Sequence, residues 1–153
     1  MFSILKKKAR EVVLEEAKRQ MYRKQVEFSE DTRPVHSIKM LYAQLNKELF
    51  NSELPTIEIK MNNRLRKTLG QAFYIIEAGG KKRPTRIEIK KSHNWTPRFL
   101  RKVMIHEMCH VWAYYFHNEG GHGRKFWGKM KDLGYPKTHD WNNSFSYEKD
   151  AWS

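Results

Sequence analysis

The apolar positions of this chain fall into a few patterns. From His36 to Phe50 they recur at Ile38, Leu41, Tyr42, Leu45, Leu49 and Phe50, the spacing of a helix with one side on a core. Asn51-Ser52-Glu53-Leu54-Pro55 breaks that spacing. Ile57-Glu58-Ile59-Lys60-Met61 then alternates, as a half-buried strand does. Gln71 to Ile76, behind Leu69-Gly70, reads as a second strand, and Arg86-Ile87-Glu88-Ile89-Lys90 as a third. Gly79 to Pro84 between them reads as a turn, so these two are expected to pair as an antiparallel hairpin. Thr96-Pro97 predicts a helix start, a hydroxyl cap followed by proline at the first position. The helix should run to about His117, where Asn118-Glu119-Gly120-Gly121 stops it.

Between Phe99 and Phe116 this helix is apolar nearly all round, with Leu100, Met104, Met108, Val111 and Tyr115 on one face. A helix of that kind is buried. A shorter one from Arg124 to Leu133 would turn Phe126, Trp127 and Met130 inward, and the tail from Gly134 predicts no regular element. The expected fold is a small α+β domain, an antiparallel sheet of about three strands packed on helices.

Residues 2 to 27 read as a further helix rich in Lys, Arg and Glu. Met1 to Lys24 holds eight basic residues (Lys6, Lys7, Lys8, Arg10, Lys18, Arg19, Arg23, Lys24) against Glu11, Glu15 and Glu16, a local charge of +5. The polar stretch Ser29 to Pro34 marks a boundary, so the chain divides into a basic extension, 1–34, and a globular part, 35–153. No internal repeat is evident.

Composition narrows the class. At 153 residues the chain suits one domain with a modest core, and 39% hydrophobic with 31% charged residues describes a soluble globular protein. No apolar run is long enough to span a membrane, and Phe2 to Leu5 before Lys6-Lys7-Lys8 is too short for a secretory signal, so an intracellular location is expected. The single cysteine, Cys109, excludes a disulfide framework and a cysteine-rich zinc ribbon, and inside the apolar helix it reads as a small core residue. The net charge of +13 favours an anionic partner, most commonly nucleic acid. Candidate contacts are Lys6, Lys7 and Lys8, then Arg64, Arg66 and Lys67, and Lys81, Lys82 and Arg83, with Lys90 and Lys91 nearby in sequence. Tyr74 and Trp95 are open to a base-stacking role as well as a core one, whereas Phe73 reads as core.

The buried helix carries the chemistry. It contains His106-Glu107-Met108-Cys109-His110. Residues four apart lie on one helix face, so His106 and His110 can aim two imidazole nitrogens at one point. With a third ligand they would make an open site for one zinc ion. Glu107, rotated by about 100° on the same helix, could take a proton from water there. Burying two histidines and a glutamate without partners is costly, and a metal relieves that cost.

The third ligand must come from elsewhere in the chain. Gly121-His122-Gly123 is the favoured source: glycines let the backbone turn sharply and lie close against the first helix. His117 is seven residues past His110, too far along the axis to share an ion. Glu119, Asp140 and His139 are the other candidates. The metzincin spacing would need a histidine at position 116, which is Phe116. His36 and His93 read as capping or surface residues.

Four segments in order also resemble the SprT-like zinc metalloproteases, the Spartan-type protease domain. They are Leu41 to Phe50 leading to Leu54-Pro55, the strand leading into Arg64 to Gly70, His106 to His110, and Gly121-His122-Gly123-Arg124-Lys125-Phe126. The resemblance covers roughly His36 to Leu133. It implies a zincin-like fold and a zinc endopeptidase, with His106, His110 and His122 as ligands and Glu107 as general base. It also implies protein substrates that are bound or crosslinked to DNA, with DNA, single-stranded DNA included, as the expected partner. Arg124, Tyr115 or Tyr147 are candidates to stabilise the oxyanion, and a substrate strand could add to an exposed sheet edge. Two alternatives stand beside this reading: a zinc-stabilised nucleic-acid-binding module without proteolysis, and a zinc hydrolase acting on a non-peptide bond.

Overall fold

A computed structural model of the chain describes residues 9–16 and 31–135. Residues 9–16 are helical and exposed (α1), within the helix expected over 2–27, the rest of which lies outside the described residues. The domain then runs α2 (Ile38–Leu49), β1 (Glu58–Asn62), β2 (Gly70–Ile76), β3 (Lys82–Lys90), α3 (Pro97–His117) and α4 (Arg124–Asp132). This is the expected α+β fold with its three-stranded sheet.

Side-chain caps start both long helices. The Ser37 hydroxyl accepts the Met40 N–H, and the Thr96 hydroxyl accepts the Phe99 N–H with Pro97 inside the first turn. His36 lies just outside the first cap and is exposed. Asn118, in the left-handed conformation (φ 50°), ends α3.

The strand order is β1-β3-β2, with β3 central. β2 and β3 are the expected antiparallel hairpin, pairing Gly70 with Ile89 and Ala72 with Ile87. β1 joins the other side of β3 in parallel, Ile59 beside Ile87 and Met61 beside Ile89, so the sheet is mixed. Alternation cannot foretell this, because it marks a strand's faces and not its neighbour's direction. β3 also begins earlier than expected, taking in Pro84. Pro84 precedes the stretch that β1 covers, so on that side β3 is still an edge, where a missing N–H is tolerated. An irregularity at Phe73/Tyr74 absorbs the local mismatch.

α3 lies across β2 and β3, with α2 against β1 and α3, and α4 against α3. Ile59, Ile87 and Ile89 face this layer and meet Val103, Met104, Met108 and Val111, all fully or almost fully buried. Tyr115 and Phe116 are exposed, because the last turn of α3 runs beyond the layer that covers the rest. Phe73 is half-buried rather than core, with the Arg86 guanidinium stacked on its ring at 3.7 Å. Trp95 packs at the core margin and donates its indole N–H to the Lys90 carbonyl at 2.7 Å.

One ion pair ties the segment before α2 to α3. Arg101, buried in the first turns of α3, donates to the Arg33 carbonyl at 2.5 Å and approaches Asp31 at 3.4 Å. Asp31 also accepts from the Arg33 guanidinium at 2.6 Å. These hydrogen bonds and the two guanidinium charges hold the Asp31 carboxyl below its ordinary range, against the opposing pull of burial.

Candidate metal centre

α3 presents His106 and His110 one turn apart, ring centroids 5.1 Å from each other. The loop after α3 returns His122 over them, 5.3 Å from His106 and 4.7 Å from His110 by ring centroid. One nitrogen from each ring falls within 4.8 Å of the other two, a group that could hold a metal ion. The Nε2 atoms of His106 and His122 are 3.2 Å apart. Two nitrogens on a tetrahedral zinc, at bonds of about 2.0–2.1 Å, are separated by roughly 3.3 Å. His106 and His110 are buried, whereas His122 is exposed, so the cluster is open to solvent on the loop side.

The floor of the cluster is Phe126, from α4. It is fully buried and stacks on His110 at 4.2 Å and 18°, with its edge towards His106 and His122. The spacing from His122 to Phe126 thus places one ligand candidate and the ring that backs all three. Tyr114, one turn beyond His110, lies nearly parallel to its ring at 6.0 Å and donates its hydroxyl to the Ala72 carbonyl.

Glu107 is completely buried beside this cluster. β2 passes so close that a Cβ at Gly70 would stand 3.0 Å from Val103 and 3.1 Å from the Glu107 side chain. Burial pushes the Glu107 carboxyl well above its ordinary range, opposed by the backbone N–H of Ala72. Neither carboxylate oxygen has a well-formed hydrogen bond among the described residues. A buried carboxyl of this kind is costly unless a cation or solvent stands next to it. Nitrogen spacing, donor chemistry and the buried carboxyl together fit a zinc ion.

The other third-ligand candidates are placed elsewhere. His117 packs against Trp112 in a tilted contact at 4.5 Å, at the exposed end of α3. The Glu119 carboxylate accepts the backbone N–H groups of Lys125 and Phe126. His139 and Asp140 lie outside the described residues, as does Tyr147. His93 packs on Trp95 and Phe99. Of the remaining oxyanion candidates, Tyr115 is exposed beneath Lys81, and Arg124 is exposed at the start of α4. Sequence reasoning missed Tyr114, although its place four residues after His110 puts it on the same helix face.

The basic residues do not form one patch. Arg64, Arg66 and Lys67 are exposed in the loop before β2, near Lys90 and Lys91 at the end of β3. Lys81, Lys82 and Arg83 belong to the hairpin at the other end of β2, about 20 Å away at the usual rise of a strand. Arg83 is paired with Glu77 at 2.6 Å, and Lys82 leans over Tyr74. Lys6, Lys7 and Lys8 lie outside the described residues.

Three histidines whose ring nitrogens could hold one metal ion, with a buried glutamate on the helix that carries two of them, place the protein in the class of candidate metal-binding domains. The sequence matches the SprT-like family over residues 38–145, and the chain belongs to that family. It is also 34% identical over 115 residues to germ cell nuclear acidic protein of Drosophila melanogaster. That match covers 70% of this chain and 11% of the fly protein, so the chain spans about a tenth of its relative's length. No helix among the described residues is long and apolar enough to cross a membrane.

Proposed function

We propose that the protein is a zinc-dependent endopeptidase, with His106, His110 and His122 as ligands and Glu107 as general base. The observation that carries this reading is the 3.2 Å approach of the His106 and His122 nitrogens beside a fully buried glutamate. Zinc, when bound, supplies a Lewis acid that makes water nucleophilic near neutral pH, and its charge favours the ionised form of Glu107. Glu107 takes a proton from the attacking water at a carboxylate oxygen and returns it to the leaving amine nitrogen. Phe126 and Tyr114, both nearly parallel to the His110 ring, keep that ring in place.

The substrate is an extended protein segment. β2 is an edge strand among the described residues and runs past Glu107, and its Tyr74–Ile76 end is exposed. An added strand there would pass beside the histidine cluster. The net charge of +13, with basic groups at both ends of β2, supports proteins held on DNA as the substrate class.

Glu107→Gln should keep its zinc and lose cleavage of casein or histone by about 10²–10⁴-fold, with and without single-stranded DNA. Equal cleavage by that variant rejects Glu107 as the base. The same charge favours a second reading, a zinc-stabilised DNA-binding module. It predicts salt-sensitive DNA binding that Glu107→Gln leaves unchanged, and no proteolysis by the wild type.

A further inference from the structure

Glu119 sits between the two helices that build the metal centre. Its backbone N–H donates to the Ala113 carbonyl at 3.0 Å, in the last turns of α3. Its carboxylate reaches the other way and accepts the N–H groups of Lys125 (3.0 Å) and Phe126 (2.9 Å) at the start of α4. A helix start leaves such N–H groups without intrahelical partners, and a carboxylate there also meets the positive end of the helix dipole. The N-cap residue of α4 is Gly123, which contributes no side-chain hydrogen bond, so Glu119 caps α4 from outside the helix.

Gly123 makes that possible. A Cβ at this position would fall 2.5 Å from the Glu119 carboxyl carbon and 2.7–2.9 Å from its oxygens. Room for the carboxylate therefore exists only because residue 123 has no side chain. Sequence reasoning places Gly123 against the first helix, but the close neighbour is Glu119. His122 lies between the two members of this clasp. Phe126, whose N–H the carboxylate holds, is the ring under all three histidines.

We propose that Glu119 is a positioning residue for the metal centre: its carboxylate, admitted by Gly123, locks the α3–α4 loop so that His122 and Phe126 meet the His106–His110 pair. The proposal rests on the reading of the cluster as a zinc site. The carboxylate orients the ligand-bearing loop and is not itself a ligand. Outer groups that orient ligands typically change metal affinity by 10- to 100-fold.

The test measures zinc affinity by chelator competition, together with the visible spectrum of the cobalt(II)-loaded protein, for wild type, Glu119→Gln, Glu119→Ala and Gly123→Ala. Glu119→Ala should weaken zinc binding about 10- to 100-fold and alter the cobalt bands. Glu119→Gln, keeping one acceptor oxygen and the side-chain shape, should recover part of the loss. Gly123→Ala should reproduce the defect by displacing the carboxylate, and the double variant should be little worse than either single one. Glu119→Ala with wild-type affinity and an unchanged cobalt spectrum overturns the proposal. So does a Glu119→Gln spectrum that has lost a donor, which would make the carboxylate a ligand. A wild type that binds neither metal overturns the zinc reading itself, a separate result. Glu119→Gln, nearly isosteric, keeps the test decisive even if Glu119→Ala fails to fold.

Discussion

At the scale of single residues, the site depends on two positions where the backbone or a ring leaves no slack. Gly70 lets β2 pass against Glu107, and an added methyl would press on both Val103 and Glu107. Gly70→Ala is expected to cost about 1–3 kcal/mol, as other overpacked positions do, and to lower cleavage beyond that stability loss by shifting Glu107. Urea denaturation alongside the cleavage assay would separate the two effects. Phe126 is wholly buried among the three histidines. Phe126→Ala should cost about 3–5 kcal/mol in the same denaturation experiment.

At the scale of elements, α3 organises the domain, and its ends are held by local chemistry. Beside the Thr96 cap, the Arg101–Asp31 contact anchors the chain ahead of α2 onto this helix. Arg101→Ala removes one of the two guanidinium groups at Asp31, with Arg33 still paired to it, and should destabilise by about 1–3 kcal/mol. The pH dependence has a definite sign. Because the folded-state carboxyl of Asp31 lies below its ordinary value, its stabilisation is complete above about pH 3.9 and fades as pH falls through the lowered native value. Urea midpoints measured from pH 5 down to pH 2 should show this loss in the wild type and less of it in Asp31→Asn. A second tie joins the hairpin to the loop after α3: the Asn118 side chain accepts from Lys82 and donates to Gly80. Through it the sheet edge and the loop bearing His122 are set relative to each other.

At the scale of the whole molecule, charge and topology act together. Among the described residues β2 is an edge strand that runs past Glu107, with basic residues at each end of it. If single-stranded DNA runs past this face, its affinity should fall linearly with salt on logarithmic axes. Replacing Lys81 and Lys82 by Gln should make that slope shallower by about 0.7 for each phosphate contact removed. Fluorescence anisotropy on a short oligonucleotide measures it, and an unchanged slope would remove the hairpin from the binding face.

What the amino-acid order determined on its own is local. Alternation marked Ile59, Ile87 and Ile89 as inward positions. The run from Phe99 onward identified a buried helix, and the four-residue spacing of His106 and His110 put two imidazoles on one face. Each of these follows from the period of a helix or a strand, which a few neighbouring residues reveal. Only the tertiary structure decided the parallel pairing of β1 with β3, the solvent exposure of Tyr115 and the Arg86 cover on Phe73. It also decided that Gly123 makes room for Glu119, whereas the choice of His122 over His117 already followed from the helical rise and the flanking glycines. These are contacts between segments far apart in the chain or across a turn, and no periodicity encodes where two such segments meet.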